Sequence, residues 1–302
     1  EQSARRMKGA RAEETMTSTF TIDIPLTESD VTLKGRLTVP EADASASVFL
    51  LPGGGLSDGD GNDADIGFSP LAQWAEVLAE AGYSSLRFDR RGTGTTGGDY
   101  VGPQEAVGDV DRVLAVARTM PELPQPWIAF GMGEAAAWAA SLCANSAKDN
   151  DVPQFAGAVL ISPPTGAIAD VFAYRQQAET VLAATPPARH RDILHQLQAE
   201  YEAKPPLFLF PPIFEMTCPV LVMHGEMDWI YPVSCSRQLV TEVKKRDRGP
   251  ADLTYRELPG LDGWLIATES WRSPQASLDP HWHIDKGAVG ILVNWLQQKF
   301  AT

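Results

Sequence analysis

The stretch WIAFGMGEAAAWAA, residues 127–140, joins an apolar run, a glycine turn and the start of an alanine-rich segment. The run WIAF is short and fully apolar, which is typical of a strand buried on both faces of a sheet. Gly131 and Gly133 suit a sharp turn, because glycine tolerates strained backbone. We therefore predict a strand-turn-helix unit at this point of the chain.

The same alternation of apolar runs and amphipathic helical segments continues on both sides of that unit. The apolar runs are SVFLL, SSLRF, GAVLIS and PVLVMHG, and the helical segments include PLAQWAEVLAEAGY, EAVGDVDRVLAVARTM and GAVGILVNWLQQKF. This rhythm predicts an α/β protein with a mostly parallel, doubly wound sheet covered by helices on both faces. The earlier segments TFTIDIPL and VTLKGRLTV have a period of two, which predicts an antiparallel hairpin at the sheet edge.

Residues 163–217 break this rhythm with helical periodicity of their own and a Pro- and Phe-rich end. The stretch is too long for an ordinary connection, so we predict an inserted helical cap there. The core then comprises residues 16–162 and 218–302, and residues 1–15 form an N-terminal extension.

The charge balance excludes several classes of partner. The 302 residues include 25 Lys and Arg against 39 Asp and Glu, a net charge of −14, with no basic stripe. Such a chain repels phosphate backbones and anionic lipid, so we expect no nucleic acid and no membrane as partner, but a small molecule. The sequence leaves homo-oligomer formation open.

The cysteine content and the first residues of the sequence indicate in which cellular compartment the protein is expected. Three cysteines without C-x-x-C spacing argue against a disulfide framework or a zinc site and favour a reducing environment. The opening residues lack the apolar segment of a signal peptide, and no apolar run reaches the roughly 18 residues of a membrane helix. We therefore expect a cytoplasmic protein.

Four local motifs resemble those of the α/β-hydrolase fold, and they extend over most of the chain. They are LPGGG at 51–55, RFDRRGTG at 87–94, GMGEA at 131–135 and HGEMDWIYP at 224–232. The resemblance implies that the first motif provides one side of an oxyanion hole, at Gly54 or Gly55, and that the second is a structural turn. It further implies that Asp228 is the triad acid and that His224 is structural.

The residues expected at the other two triad positions are missing. Gly133 stands where the family has its nucleophile, and glycine has no side chain that could attack a carbonyl. Gly263, in the segment PGLDGW, stands where the family has its histidine base. The resemblance therefore extends to atypical members, such as the epimerases and cyclases of natural-product pathways, which use this fold without acyl transfer.

The remaining groups suggest proton-transfer chemistry without a cofactor. The backbone N–H of Glu134, with Gly54 or Gly55, would complete an oxyanion hole. Asp228, without a triad histidine, could face the cavity with a raised pKa and act as a base. The Glu134 carboxylate is the other candidate, although it could simply satisfy a helix N-terminus. We thus expect proton transfer, cyclisation, epimerisation or elimination.

Five histidines offer few replacements for the missing base. His281 and His283, in DPHWHID, could fold back as a relocated base, and without a third ligand we expect no metal at this pair. His190 and His195 are five residues apart, so they lie on different faces of a helix and are most simply solvated. We expect neither a metal nor a cofactor.

Aromatic residues flank the triad positions and indicate the kind of ligand. The predicted pocket residues are Met132, Trp229, Tyr231, Trp264 and Phe210. They suit a bulky, apolar, natural-product-like substrate, although the Phe208, Phe210 and Phe214 run is better explained by packing between cap and core. Two alternatives stay open: a ligand-binding protein without catalytic activity, and a hydrolase with a relocated histidine and water as the nucleophile.

Overall fold

The computed structural model describes residues 17–27, 29–102, 106–146, 154–203, 211–246 and 249–300. Its strands are β1 (Ser18–Pro25), β2 (Thr32–Val39), β3 (Ser47–Leu50), β4 (Ser84–Phe88), β5 (Trp127–Met132), β6 (Phe155–Ile161), β7 (Val220–Gly225) and β8 (Leu253–Leu258). Its helices are α1 (Pro70–Glu80), α2 (Ala106–Ala117), α3 (Ala135–Ser146), α4 (Ile168–Ala183), α5 (His190–Glu202), α6 (Ser234–Arg246), α7 (Pro274–Ser277) and α8 (Lys286–Phe300).

All eight strands form one sheet in the order β1-β2-β4-β3-β5-β6-β7-β8. The pairs β1-β2 and β2-β4 are antiparallel, and the other pairs are parallel. The predicted edge hairpin and the mostly parallel sheet are both present. The parallel strands need helical crossovers, whereas the N-terminal pair is joined by a short turn.

Helices cover both faces of the sheet because successive strand residues point to opposite sides. Phe49 and Ala129 pack on one face with α2, α3 and α6, whereas Val48 and Ile128 pack on the other face with α1 and α8. The doubly wound α/β prediction is therefore correct. Within the described ranges, no helix combines the length and the apolar character needed to cross a membrane.

The connection between β6 and β7 carries two helices, α4 and α5. Tyr174 of α4 and Tyr201 of α5 meet with their rings nearly perpendicular at 5.8 Å. The Tyr174 hydroxyl donates to the backbone oxygen of Asp228 at 2.9 Å, which fastens α4 to the loop after β7. The limits of the cap, 163 and 217, stay a prediction. Residues 1–15, Phe208 and Phe210 lie outside the described residues.

Candidate active site

The turn between β5 and α3 has the backbone of a nucleophile elbow. Gly133 has a φ of 54°, a left-handed conformation that favours glycine. Its N–H donates to Ile161 O at 2.8 Å, which fixes the turn to the neighbouring strand. At Gly131 a β-carbon would lie 2.2 Å from Ala135 O, so only glycine lets the helix return so closely over the strand.

The side chain of Tyr231 fills the space above this elbow. A β-carbon at residue 133 would lie 2.7 Å from Cε2 of Tyr231 and 3.1 Å from its hydroxyl oxygen. The backbone N–H of Glu134 lies close enough to that hydroxyl to lower its pKa. A phenol from the loop after β7 thus stands where a nucleophilic side chain would project.

The residues of the predicted oxyanion hole, Gly54, Gly55 and Glu134, all line the cavity, and the hole itself stays a prediction. The Glu134 carboxylate lies over the glycine loop: a β-carbon at Gly54 would be 1.9 Å from Oε2. A carboxylate at this point repels a second negative charge. Arg90 donates a hydrogen bond to Gly55 O, which stabilises the conformation of the glycine loop.

Asp228 lines the cavity, but a histidine holds it, whereas the sequence suggested a carboxylate without a histidine partner. Its Oδ2 lies 3.1 Å from Nε2 of His224, and its Oδ1 accepts the N–H groups of Ile230 and Tyr231 at 2.8 and 2.9 Å. Both side chains of the pair are fully buried. Asp228 therefore acts as the internal support of the loop that carries Tyr231.

The tautomer of His224 follows from its surroundings. Nε2 faces two acceptors, the Asp228 carboxylate and Tyr231 O at 3.0 Å, so this nitrogen carries a proton. Nδ1 pairs with the Ser236 hydroxyl at 2.7 Å. The structural role predicted for His224 would thus consist of holding Asp228, the aspartate that the sequence suggested is free.

Gly263 leaves no room for a base. A β-carbon there would lie 2.4 Å from Oδ2 of Asp228. The loop is fixed on both sides: Ser162 donates its hydroxyl to Gly263 O at 3.1 Å, and the buried Asp262 pairs with the buried Arg272. Burial raises the pKa of Asp262 to about 6, although the Arg272 charge lowers it.

The four remaining histidines lie outside the cavity lining. His281 and His283 are exposed, so the hypothesis of a relocated base has no geometric support. His195 is also exposed and pairs with Glu226 at 2.8 Å. His190 is buried rather than solvated, because Nε2 contacts Leu182 O and Thr185 O and Nδ1 accepts the Trp271 N–H.

A cavity of 280 Å³ opens beside the elbow. Of the predicted pocket residues, Met132, Trp229, Tyr231 and Trp264 line it, together with Gly133, Glu134 and Gly263. Phe210 lies outside the described residues, and Phe214 packs against the core of the sheet. In the described part of the chain, no group of three or more His, Cys, Asp or Glu side chains is placed to hold a metal ion.

Sequence reasoning missed several lining residues, namely Asp63, Asp65, Ser162, Phe172 and Arg175. Arg175, on α4, approaches Asp65 at 3.7 Å and lies 5.7 Å from the centre of the Trp229 ring. No motif surrounds it in the sequence, so only its position in the fold reveals it. Ser162 has a φ of 48° directly after β6, a second strained position beside the cavity.

The protonation state of Tyr231 is set by its surroundings. Burial raises the pKa of its hydroxyl, and the charges of Glu134 and Asp228 raise it further. Arg175 and the Glu134 N–H lower this pKa and offset part of the shift. The phenol therefore stays protonated at neutral pH and can donate a hydrogen bond into the cavity.

Comparison with known proteins identifies the architecture. No protein-family model and no curated protein matches the sequence. Among solved structures, the esterase Pf2001 of Pyrococcus furiosus is 16% identical with a TM-score of 0.61, covering 94% of this chain and 91% of its own. Est1E of Butyrivibrio proteoclasticus, solved with ferulic acid, is 14% identical with a TM-score of 0.56, covering 93% of this chain and 100% of its own.

A third similar structure is DcsB in complex with its substrate analogue. It is 13% identical with a TM-score of 0.57, and the match covers 94% of this chain and 100% of that one. Identities this low bear on the fold alone. The strand order, the elbow after β5 and these structural neighbours together show that the chain has the α/β-hydrolase fold.

Proposed function

We propose that this protein is an enzyme that moves a proton on a carbonyl-containing substrate in the cavity, with Glu134 as the base and Tyr231 as the hydrogen-bond donor. The observation that carries the proposal is the position of the Tyr231 hydroxyl at the elbow, against the Glu134 N–H and beside the Glu134 carboxylate. The two groups stand where hydrolases of this fold keep their nucleophile and oxyanion hole.

The Glu134 carboxylate is suited to accept a proton. It lines the cavity and is partly buried, and none of the described residues donates a hydrogen bond or an ion pair to it. A carboxylate that no other group engages can act as a general base toward a substrate placed within its reach. It would take a proton from a carbon next to a carbonyl, leaving the electron pair of that C–H bond to form an enolate.

Tyr231 is suited to stabilise that enolate. Its hydroxyl lies at the elbow in the cavity lining and stays protonated at neutral pH, so the O–H can bond the developing oxyanion. The nearby Glu134 N–H, at the start of α3, polarises the hydroxyl and strengthens it as a donor. Arg175, whose charge lowers the pKa of Tyr231, adds positive potential from the cap side.

The lining limits the size and polarity of the substrate. A volume of 280 Å³ lies just below the range of about 300 to 1,000 Å³ for small-molecule pockets, so we expect a substrate of small to medium size. Phe172, Trp229 and Trp264 provide apolar walls. The bulky natural product expected from the sequence would have to extend through the mouth of the cavity.

Two other functions remain alternatives. The esterases among the structural neighbours favour hydrolysis, but no side chain projects from the elbow of this chain and no histidine lines the cavity. A ligand-binding protein without activity is favoured by the Glu134 carboxylate over the glycine loop and by the buried Asp228-His224 pair.

The experiment follows the fate of solvent hydrogen and oxygen. Small ketones, esters and thioesters that raise the melting temperature of the protein would be incubated with it in D2O and, separately, in H2-18O. We expect one deuterium to enter next to the carbonyl, with no 18O. Incorporation of 18O into an acid product would indicate hydrolysis, and binding without either label would indicate a receptor.

Single substitutions test the roles of Glu134 as the base and of Tyr231 as the hydrogen-bond donor. Glu134→Gln should abolish exchange, and Tyr231→Phe, which keeps the ring, should reduce it by about 10²- to 10⁴-fold while ligand binding persists. Glu76→Gln, at an exposed carboxylate of α1, and Tyr100→Phe, at an exposed phenol, are the matched controls and should exchange at the wild-type rate. Full exchange in Glu134→Gln would overturn the assignment of the base.

A further inference from the structure

Two of the three cysteines lie beside the same part of β6, outside the cavity lining. Cys143 is on α3, and its thiol donates to Gly157 O at 3.5 Å. Cys218 directly precedes Pro219, whose carbonyl accepts the N–H of the next β6 residue, Ala158, at 3.1 Å. Consecutive residues of one strand therefore hold the two cysteines near each other, and Cys218 packs against the hydrophobic cluster that contains Cys143.

The two thiols differ in exposure. Cys143 is buried in the hydrophobic core between α3 and the sheet, whereas Cys218 is partly exposed and packs against that core. Reagents from solvent therefore reach Cys218 first. Cys235, the third cysteine, is buried elsewhere and donates to Thr165 O at 3.2 Å.

The partly exposed thiol is the more acidic of the two. The neighbouring Cys143 side chain lowers the pKa of Cys218, and burial raises the pKa of Cys143. Since the thiolate is the attacking species in disulfide exchange, Cys218 is the first to react and Cys143 the second.

We propose that Cys143 and Cys218 form a dithiol site that a low-molecular-weight disulfide such as oxidised glutathione converts into an intramolecular disulfide. The Cys218 thiolate attacks one sulfur of the reagent, and one glutathione thiolate leaves. Cys143 then loses its proton and attacks the Cys218 sulfur of the mixed disulfide, releasing the second glutathione. Two protein thiols are oxidised, and the reagent is reduced to two molecules of glutathione.

The disulfide would close a loop from residue 143 to residue 218, which contains β6 and both helices of the β6-β7 connection. A cross-link around so long a loop restricts the unfolded chain, so the oxidised protein should melt at a higher temperature than the reduced protein. This inference is independent of the proposed proton transfer, because neither cysteine lines the cavity.

The test treats the reduced, folded protein with oxidised glutathione, then unfolds it in guanidinium chloride so that buried thiols become accessible, blocks the remaining thiols with iodoacetamide and measures the intact mass and the peptide masses. The wild type should retain one alkylatable thiol, on Cys235, carry no glutathione and give a linked peptide pair containing Cys143 and Cys218. Cys143→Ser should hold one stable glutathione on Cys218, because the second attack is missing. Cys235→Ala is the control and should cross-link like the wild type.

Each other result contradicts the proposal. A stable glutathione adduct on wild-type Cys218 would show that the thiols do not reach each other, and three alkylated thiols would show that Cys218 does not react. If Cys143→Ser does not fold, Cys143→Ala provides the same readout. The peptide map of the wild type decides the question without any variant.

Discussion

The phenol ring of Tyr231 occupies the space that a side chain at Gly133 would need, since its Cε2 lies 2.7 Å from the position of a β-carbon there. The same relationship recurs at the other altered triad position, where Asp228 lies against Gly263. Neither glycine leaves an empty hole, because a neighbouring polar side chain has taken each space. The site is therefore rebuilt around different groups, and restoring a triad residue would require these neighbours to move.

Gly133→Ser should destabilise the protein and yield no reactive serine. The new side chain meets Tyr231 in a left-handed backbone conformation, and overpacking of this kind costs about 1 to 3 kcal/mol in the free energy of unfolding. Chemical denaturation and labelling with a fluorophosphonate probe measure both effects. Gly108→Ser on α2 is the control, since a β-carbon there meets nothing within 4 Å. Labelled Gly133→Ser with control-like stability would contradict the packing described.

Gly263→Ala should also lower the free energy of unfolding, by about 1 to 3 kcal/mol, because its β-carbon would lie within van der Waals overlap of the Asp228 carboxylate. Gly290→Ala on α8, where nothing lies within 4 Å, should instead gain up to about 1 kcal/mol. In a double-mutant cycle the cost of Gly263→Ala should shrink when Asp228 is alanine. Simple additivity in that cycle would show that the two residues do not compete for space.

Asp228→Asn should act on stability rather than on chemistry. The amide oxygen can still accept the Ile230 and Tyr231 N–H groups, but the amide N–H2 then faces the protonated Nε2 of His224. A buried donor without an acceptor costs about 1 to 3 kcal/mol. Denaturation should show this loss, while deuterium exchange per folded molecule stays near the wild-type rate. Loss of deuterium exchange in this variant without a loss of stability would instead indicate that Asp228 has a catalytic role.

Asp262 should make the stability depend on pH in an unusual direction. Its pKa of about 6 in the folded protein exceeds the roughly 3.9 of an unfolded aspartate, so between these values the folded state holds a proton that the unfolded chain has released. The free energy of unfolding therefore falls as pH rises through this window, by about 3 kcal/mol in total from this group.

Asp262→Asn removes the contribution of this carboxyl group to the pH dependence of the free energy of unfolding. Denaturation curves between pH 4 and 7 can measure the change. The wild type should lose stability relative to Asp262→Asn as the pH rises, whereas Asp192→Asn, at an exposed carboxylate, should follow the wild type. Parallel profiles for wild type and Asp262→Asn would mean that Arg272 keeps the carboxylate ionised throughout.

The fold was accessible from the sequence because its signals are local. Short apolar runs alternating with amphipathic segments indicate a parallel sheet with helices on both faces, and the period-two segments indicate the edge hairpin. The glycines at 133 and 263 could be placed for the same reason, since each follows a recognisable strand and motif. Their identity alone excludes an acyl-enzyme at the elbow.

Side-chain contacts between distant segments could not be read in this way. The sequence suggested that Asp228 is free, that His283 or His281 could return to the site and that the oxyanion hole is open. The structure instead pairs Asp228 with His224, leaves both other histidines exposed and places the Glu134 carboxylate beside Gly54 and the Tyr231 ring beside Gly133.

The sequence by itself thus determined the architecture and the absence of a triad, because strand and helix periodicity and residue identity are properties of short segments. Only the tertiary structure decided what replaces the triad, where Arg175 lies and that Cys143 and Cys218 both lie beside β6. Those relationships depend on how loops at the ends of neighbouring strands pack together. Close packing leaves one arrangement in which Tyr231 and Asp228 fill the spaces beside two glycines.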